Sequence, residues 1–280
     1  MNLRKPAVAG SFYPSDKNEL SKLIDECFLH PLGPGRLPPA QPGSAKVIAC
    51  VVPHAGYVYS GPVAAHSYLH VSSLPDPELI VVVAPNHYGI GSGVSSCSGG
   101  VWETPLGRMK VDEDGAKKLA EAAGIVDFDP EAHRLEHSLE VQLPFLQKLY
   151  GARVPFIPIS LAFQDSETAV QVAKGVEEVV RGRRAVLIAS SDFTHYEQAD
   201  QARRKDLALA SSILSMNLES FYSTLERLQV TACGFGAIAT VMAAAKELGF
   251  RKGELLKYAN SGDTTGDNSQ VVGYGALRFV

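Results

Sequence analysis

Three apolar runs in this chain each end on polar residues suited to ligand chemistry, and that repeated ending constrains the fold more than any other feature. Val47-Ile48-Ala49-Cys50-Val51-Val52 stops at Pro53-His54 and turns through Gly56. Leu79 to Ala84 is followed by Pro85-Asn86-His87, and Ala185 to Ala189 by Ser190-Ser191-Asp192-Phe193-Thr194-His195. Short apolar runs bounded by turn signals have the character of buried strands. Between the first two, the small apolar stretch Gly61 to Val71 reads as a helix, which gives a strand-helix-strand unit. In an open α/β sheet, ligands bind in the crevice outside the carboxyl ends of the strands. His54, His87 and His195 are therefore expected to converge on one site.

The rest of the chain continues the alternation. Asp16 and Glu19 have capping-box spacing at the start of a helix that runs to Phe28, and residues 31–45 are a Pro/Gly-rich surface loop that sustains neither helix nor strand. Gly89 to Gly100 reads as a flexible loop able to cover or frame a site. Trp102 to Val111 reads as a strand pair, and Asp112 to Ala123 as a helix closed by Gly124. Glu136 to Tyr150 has helical spacing broken near Leu143 by Pro144. Strands at Val154–Leu161, Leu255–Ala259 and Val271–Phe279 and helices at Ser166–Val180, Glu197–Asn217 and Gly234–Leu248 complete the pattern. The expected fold class is α/β, one domain over residues 1–280, with a central, largely parallel or mixed sheet flanked by helices.

Composition narrows the partners. The chain has 280 residues, 45% of them hydrophobic, with a formal net charge of -4 and no dense Lys/Arg block. That balance argues against nucleic acid or an anionic membrane and in favour of a small molecule. Cys27, Cys50, Cys97 and Cys233 are far apart, and no apolar leader or membrane-length run accompanies them. A cytoplasmic location with free thiols is expected, Cys27 and Cys50 being core residues.

His54, His87, His137, Asp192, His195 and Cys233 all fall at strand ends or helix starts. Imidazoles with a thiolate suit a transition ion. A competing motif, His133-Arg134-Leu135-Glu136-His137, matches the zinc-hydrolase pattern His-x-x-Glu-His, which needs one helix across all five residues. The preceding Phe128-Asp129-Pro130-Glu131-Ala132 favours a turn, so His133 is expected to be exposed and outside the site. Ser190 and Ser191 lack the Gly-x-Ser-x-Gly elbow of a serine hydrolase. Ser261 to Asn268 lacks both the P-loop Lys and the EF-hand Glu, which leaves it a connecting loop near the site. Cys233, just before an Ala-rich helix, is expected to be an unusually acidic thiol.

Taken in order, Pro53-His54-Ala55-Gly56-Tyr57, Pro85-Asn86-His87, Glu136-His137-Ser138-Leu139-Glu140, Ser190 to His195 and Thr231-Ala232-Cys233-Gly234 resemble the Memo family. The likeness extends to Ala9-Gly10-Ser11-Phe12-Tyr13 and Gly273-Tyr274-Gly275-Ala276. Prokaryotic members are labelled AmmeMemoRadiSam system protein B. The resemblance implies a fold similar to class III extradiol dioxygenases, with His54, His87 and Cys233 as metal ligands and His137, Asp192 and His195 lining the same pocket as catalytic candidates. Cys233 stands where extradiol enzymes carry a carboxylate. The implied cofactor is iron or copper in preference to zinc, and the implied activity is redox or oxygen handling on a small substrate. Members regarded as adaptors imply the alternative of a non-catalytic binding module, and the label implies association with radical-SAM and AMMECR1-domain proteins.

Overall fold

The computed structural model describes residues 3–280. Its centre is four parallel strands side by side: Val47–Val52, Ala185–Ser190, Leu79–Pro85 and Phe156–Leu161. Strand side chains alternate between faces, and here both faces are covered. Ala49, Val51, Val81 and Leu187 pack under the helices Glu113–Ala123, Ser166–Val180 and Phe235–Glu247, while Ile48, Cys50, Val52, Val82 and Ile188 pack under Lys17–Leu29, Tyr57–Val71 and Leu143–Tyr150. Burial on both sides explains why these strands are largely apolar, Ser160 being a buried polar residue inside the last of them.

The edges are antiparallel. Val271–Phe279 pairs with Val47–Val52 and itself carries Gly253–Asn260 and His195–Glu197. On the far side Val94–Ser96 runs antiparallel to Phe156–Leu161 and ends the sheet with Asp127–Phe128. Among the described residues this mixed sheet has nine strands, and a separate three-stranded sheet joins Leu3–Arg4, Val101–Thr104 and Gly107–Lys110. No helix among the described residues is long and apolar enough to cross a membrane.

Several sequence expectations are corrected. The Gly89–Gly100 segment is not a cover for the site, because Val94–Ser96 is a buried strand of the main sheet. Glu136–Tyr150 is two helices, His137–Glu140 and Leu143–Tyr150, separated at Val141-Gln142, with Pro144 in the first turn of the second, where its missing N–H costs nothing. The helix expected over Glu197–Asn217 spans Ala199–Leu214, since His195 and Glu197 pair with Val272 and Val271. Leu218–Leu228 is a further helix with no counterpart in the sequence reading; Asn217 caps it by accepting from Ser220 N.

One buried carboxylate fastens the amino-terminal arm to this frame. Glu140 accepts from Ala7 N at 2.7 Å, Val8 N at 3.1 Å and Tyr13 Oη at 2.5 Å, and it pairs with the Arg4 guanidinium. Tyr57 N then donates to Phe12 O at 2.8 Å, which sets the Phe12 ring 4.7 Å from that of His137.

Candidate functional site

The carboxyl ends of the central strands deliver the side chains that matter. His54 follows Val47–Val52, His87 follows Leu79–Pro85, and Asp192 follows Ala185–Ser190. Phe156–Leu161 contributes indirectly through Gln164. Its Nε2 donates to Cys233 O at 2.9 Å and its Oε1 accepts from Gly236 N at 2.8 Å. Ser191 Oγ accepts from Gly234 N at 3.0 Å. Gly234 is required here, because a Cβ would sit 2.3 Å from Ser190 O. These contacts fix Cys233 with Sγ 3.1 Å from His54 Nε2. A ring nitrogen of His54, a ring nitrogen of His87 and Cys233 Sγ all lie within 4.8 Å of one another.

The hydrogen bonds behind the imidazoles settle which nitrogen faces forward. Ser190 Oγ donates to Ser138 O at 2.7 Å, so its oxygen is left to accept from Gln142 Nε2 at 2.7 Å and from His54 Nδ1–H at 2.9 Å. Tyr68 Oη in turn donates to Gln142 Oε1 at 2.5 Å. His87 Nδ1–H donates to Glu136 Oε1 at 2.9 Å, and the same carboxylate accepts from His87 N at 2.6 Å and Ser138 N at 2.9 Å. Each ring therefore carries its proton on Nδ1 and presents the lone pair of Nε2, the state a metal ligand needs. Burial opposes the charge on Glu136, yet the hydrogen bonds from His87 and Ser138 outweigh it and hold the carboxyl down to about 2.

His137 completes a cluster of three imidazoles, 4.6 Å from His87 and 5.6 Å from His54 between ring centroids. Burial pushes it down to about 4, with the Glu136 carboxylate opposing and His87 assisting, so it is neutral near pH 7. His54 is likewise held well below its ordinary value, by burial first and then by the neighbouring histidines. Asp192 Oδ1 accepts from His54 N at 2.8 Å and so orients the turn carrying that ligand candidate; burial raises its carboxyl. His195 donates Nδ1–H to Thr231 O at 3.0 Å, and its N–H donates to Thr231 Oγ1 at 2.8 Å. His87, His137, Asp192, His195 and Cys233 line one open cavity of about 960 Å³, and the buried His54 contacts the lining through Cys233.

Two expectations fail in this region. The Cys233 thiol is pushed up, not down, by burial and by the Asp192 carboxylate. The start of the Phe235–Glu247 helix does not offset that, and only a bound cation nearby reverses it. His133 is not exposed but 0% accessible, its ring 5.7 Å from that of Trp102 and Nε2 3.3 Å from Ser95 Oγ. It lies in the four-residue helix Glu131–Arg134, while His137 opens another, and Glu136 is engaged by His87. The single helix required by the zinc-hydrolase motif is absent.

Sequence reasoning missed the supporting layer. Glu136 figured in the hydrolase and family motifs but not as the partner of His87, and Gln142 is 48 residues from Ser190, so no local pattern joins them. The available signal for Glu136 is its place directly before His137, as the cap of a helix too short to need one for stability.

His133 gives two measurable outcomes. His133→Ala is expected to leave metal content unchanged while costing about 2–3 kcal/mol of stability through the cavity beside Trp102; loss of metal in the folded variant speaks for the zinc-hydrolase site. Burial, helped by Arg4, also pushes this imidazole down to about 4, whereas the unfolded chain titrates near about 6.5. The unfolded state binds the extra proton between those values. Stability from neutral His133 is thus fully present above about 6.5 and is lost as pH falls through about 4. Between about pH 7.5 and 4.5, His133→Gln should lose about 2–3 kcal/mol less in urea unfolding than the parent. Equal acid sensitivity contradicts this.

Known proteins are similar to this chain from end to end. A sequence profile described as Memo-like protein matches residues 4–278. A MEMO1 family protein of Nitrosopumilus maritimus is 47% identical over 99% of this chain and 100% of its own length. Another, of Methanopyrus kandleri, is 47% identical over 99% of this chain and 98% of its own. The crystal structure of an uncharacterized protein from Escherichia coli K12 is similar in fold alone, with a TM-score of 0.56 and 14% identity over 83% of this chain and 99% of that one. Matched along almost its whole length by the profile and by full-length relatives, this chain belongs to the Memo-like protein family.

Proposed function

We propose that the protein is a metal-dependent redox or oxygen-handling protein that holds one iron or copper ion on His54, His87 and Cys233 and receives a small substrate in the adjoining cavity. The observation that carries this reading is the pair of Nδ1–H hydrogen bonds, to Ser190 and to Glu136, which aim two Nε2 lone pairs toward the region of Cys233 Sγ. The donor set of two imidazoles and one sulfur fits a first-row transition ion. When bound, such an ion supplies electron transfer or Lewis-acid polarisation. The protein's own contribution is positional: Ser190, Gln142 and Glu136 fix the tautomers, and Asp192 fixes the His54 turn. His137, neutral near pH 7, and His195, with Nδ1 committed to Thr231, each keep Nε2 free to accept or relay a substrate proton.

Anaerobic purification followed by elemental analysis and X-ray absorption tests the proposal. About one ion per chain with mixed nitrogen and sulfur scattering is expected. Absence of stoichiometric metal with that scattering overturns it and favours the binding-module alternative, in which the same cavity holds a ligand without chemistry. Association with radical-SAM and AMMECR1-domain proteins rests on the family resemblance and is tested by co-purification from cells producing all three.

A further inference from the structure

The three ligand candidates are not held equally. His54 is buried, and the backbone around Cys233 is fixed by Gln164 and Ser191, whereas His87 stands in an exposed loop after Leu79–Pro85. Both hydrogen bonds that His87 donates, from N at 2.6 Å and from Nδ1 at 2.9 Å, end on the Glu136 carboxylate. The position and the tautomer of this candidate are therefore the ones that Glu136 imposes. Glu136 itself lies between two four-residue helices, Glu131–Arg134 and His137–Glu140. Helices that short gain little from their own ladder and depend on neighbours to hold them.

The neighbour that grips this segment is Arg4, in the edge strand Leu3–Arg4 of the three-stranded sheet. Its Nε donates to His133 O at 2.9 Å, its Nη2 donates to Glu136 O at 2.7 Å, and its Nη1 pairs with the Glu140 carboxylate. His133 O lies in the last turn of its helix, where carbonyls lack an intrahelical partner. One planar guanidinium thus holds a carbonyl before Glu136, the carbonyl of Glu136 itself and a carboxylate after it. The Trp102 ring, 4.3 Å from Arg4 Cζ, backs the guanidinium, and the side chain is only 11% exposed. A rigid fork of donors fixes geometry in a way that a lysine ammonium does not. Arg4 does not line the cavity, so any effect it has on the centre passes through the segment it grips.

We infer that Arg4 is a positioning residue for the metal centre: by clamping the segment that carries Glu136 it holds His87 in place with its proton on Nδ1, which couples docking of the amino-terminal strand to metal affinity. The inference deepens the proposed function and rests on its assignment of His87 as a ligand. Such coupling is reciprocal, so bound metal tightens the arm by the factor by which the docked arm tightens metal.

Copper(I), added anaerobically and read against a competing chelator, is the probe. Arg4→Lys keeps a charge beside Glu140 but loses the two carbonyl bonds. It is expected to bind copper(I) about tenfold more weakly, the low end of the range for residues that support a ligand. Val172→Ala, in the helix Ser166–Val180 on the other face of the sheet, controls for lost stability and should leave the affinity unchanged. Nitrogen NMR of isotope-labelled histidine in metal-free protein, at about pH 8 where an ordinary imidazole is neutral, reads the tautomer directly. His87, assigned by loss of its signals in His87→Gln, should be the single Nδ1–H form in the parent and a mixture in Arg4→Lys. In the parent, saturating copper(I) should slow hydrogen exchange at Ala7 N and Val8 N about tenfold and leave the helix Leu218–Leu228 unchanged. Unchanged affinity or an unchanged His87 tautomer in folded Arg4→Lys, or arm exchange indifferent to copper(I), overturns the inference. If Arg4→Lys does not fold, the exchange measurement on the parent decides. The two readings fail separately: a parent without stoichiometric copper(I) sinks the metal proposal, while the metal-free tautomer comparison still decides whether Arg4 positions His87. Stoichiometric copper(I) with equal affinity in parent and Arg4→Lys sinks this inference alone.

Discussion

Glu140→Ala is expected to lower the free energy of unfolding by about 3–5 kcal/mol, the usual cost of removing one partner from a buried charge pair. The carboxylate is fully buried and serves four donors: Arg4, Ala7 N, Val8 N and Tyr13 Oη. Its loss leaves the Arg4 guanidinium, whose side chain is only 11% exposed, with the carbonyls of His133 and Glu136 but no counter-charge. Two backbone N–H groups and a phenol lose their acceptor as well, each at about 1–3 kcal/mol when desolvated. Part of that cost is relieved if the arm detaches and water enters. Urea unfolding gives the magnitude, and hydrogen exchange at residues 7–13 should show the arm opening before the sheet. Detachment also withdraws Phe12 from His137, so ligand affinity in the cavity should fall with arm protection. Glu140→Gln keeps the shape and some acceptor capacity and should cost less. A Glu140→Ala loss below about 1 kcal/mol means the arm is held by its apolar contacts alone.

How much of this was legible in the residues depends on whether a signal was local. The buried strands were, because each is apolar on both faces and ends abruptly. Val52-Pro53-His54 and Ala84-Pro85-Asn86-His87 therefore announce both the strand and the side chain it delivers. His54, His87, His137, Asp192, His195 and Cys233 do gather at the carboxyl edge of the sheet, although their chemistry is a separate matter. The supporting residues were not legible. Ser190 reads as the end of an apolar strand and Gln142 as a polar break between two short helices, and only the fold brings them together behind His54. His133 misled because its neighbours are turn-forming and charged. Exposure is decided by the three-stranded sheet, which places Trp102 against it, and nothing near residue 133 encodes that contact. The Leu218–Leu228 helix had a readable signal in the spacing of Phe221 and Leu225 after the Asn217 cap.

The third ligand is the sharpest point of the metal proposal, and Cys233→Ser is expected to reduce metal affinity by more than about a hundredfold, exceeding the effect typical of a supporting residue. The reasoning rests on what the thiol does without a cation. Burial and Asp192 push it up, so a neutral thiol 3.1 Å from His54 Nε2 is the preferred state of the protein alone. A cation held by His54, His87 and Cys233 would favour the thiolate and would offset the unfavourable burial. Serine cannot follow, since its hydroxyl is far harder to ionise and its oxygen is a harder donor. The backbone at residue 233 is held independently of the sulfur, by Gln164 on its carbonyl and by Ser191 on Gly234 N, so the variant should fold. Circular dichroism and urea midpoints establish that, and elemental analysis with competition by a chelator gives the affinity. If Cys233 is only a small buried residue, the swap costs some stability and leaves metal content unchanged. Full occupancy in a folded Cys233→Ser protein would remove sulfur from the ligand set and turn attention to Asp192, whose Oδ1 already holds His54 N but whose carboxylate lines the same cavity.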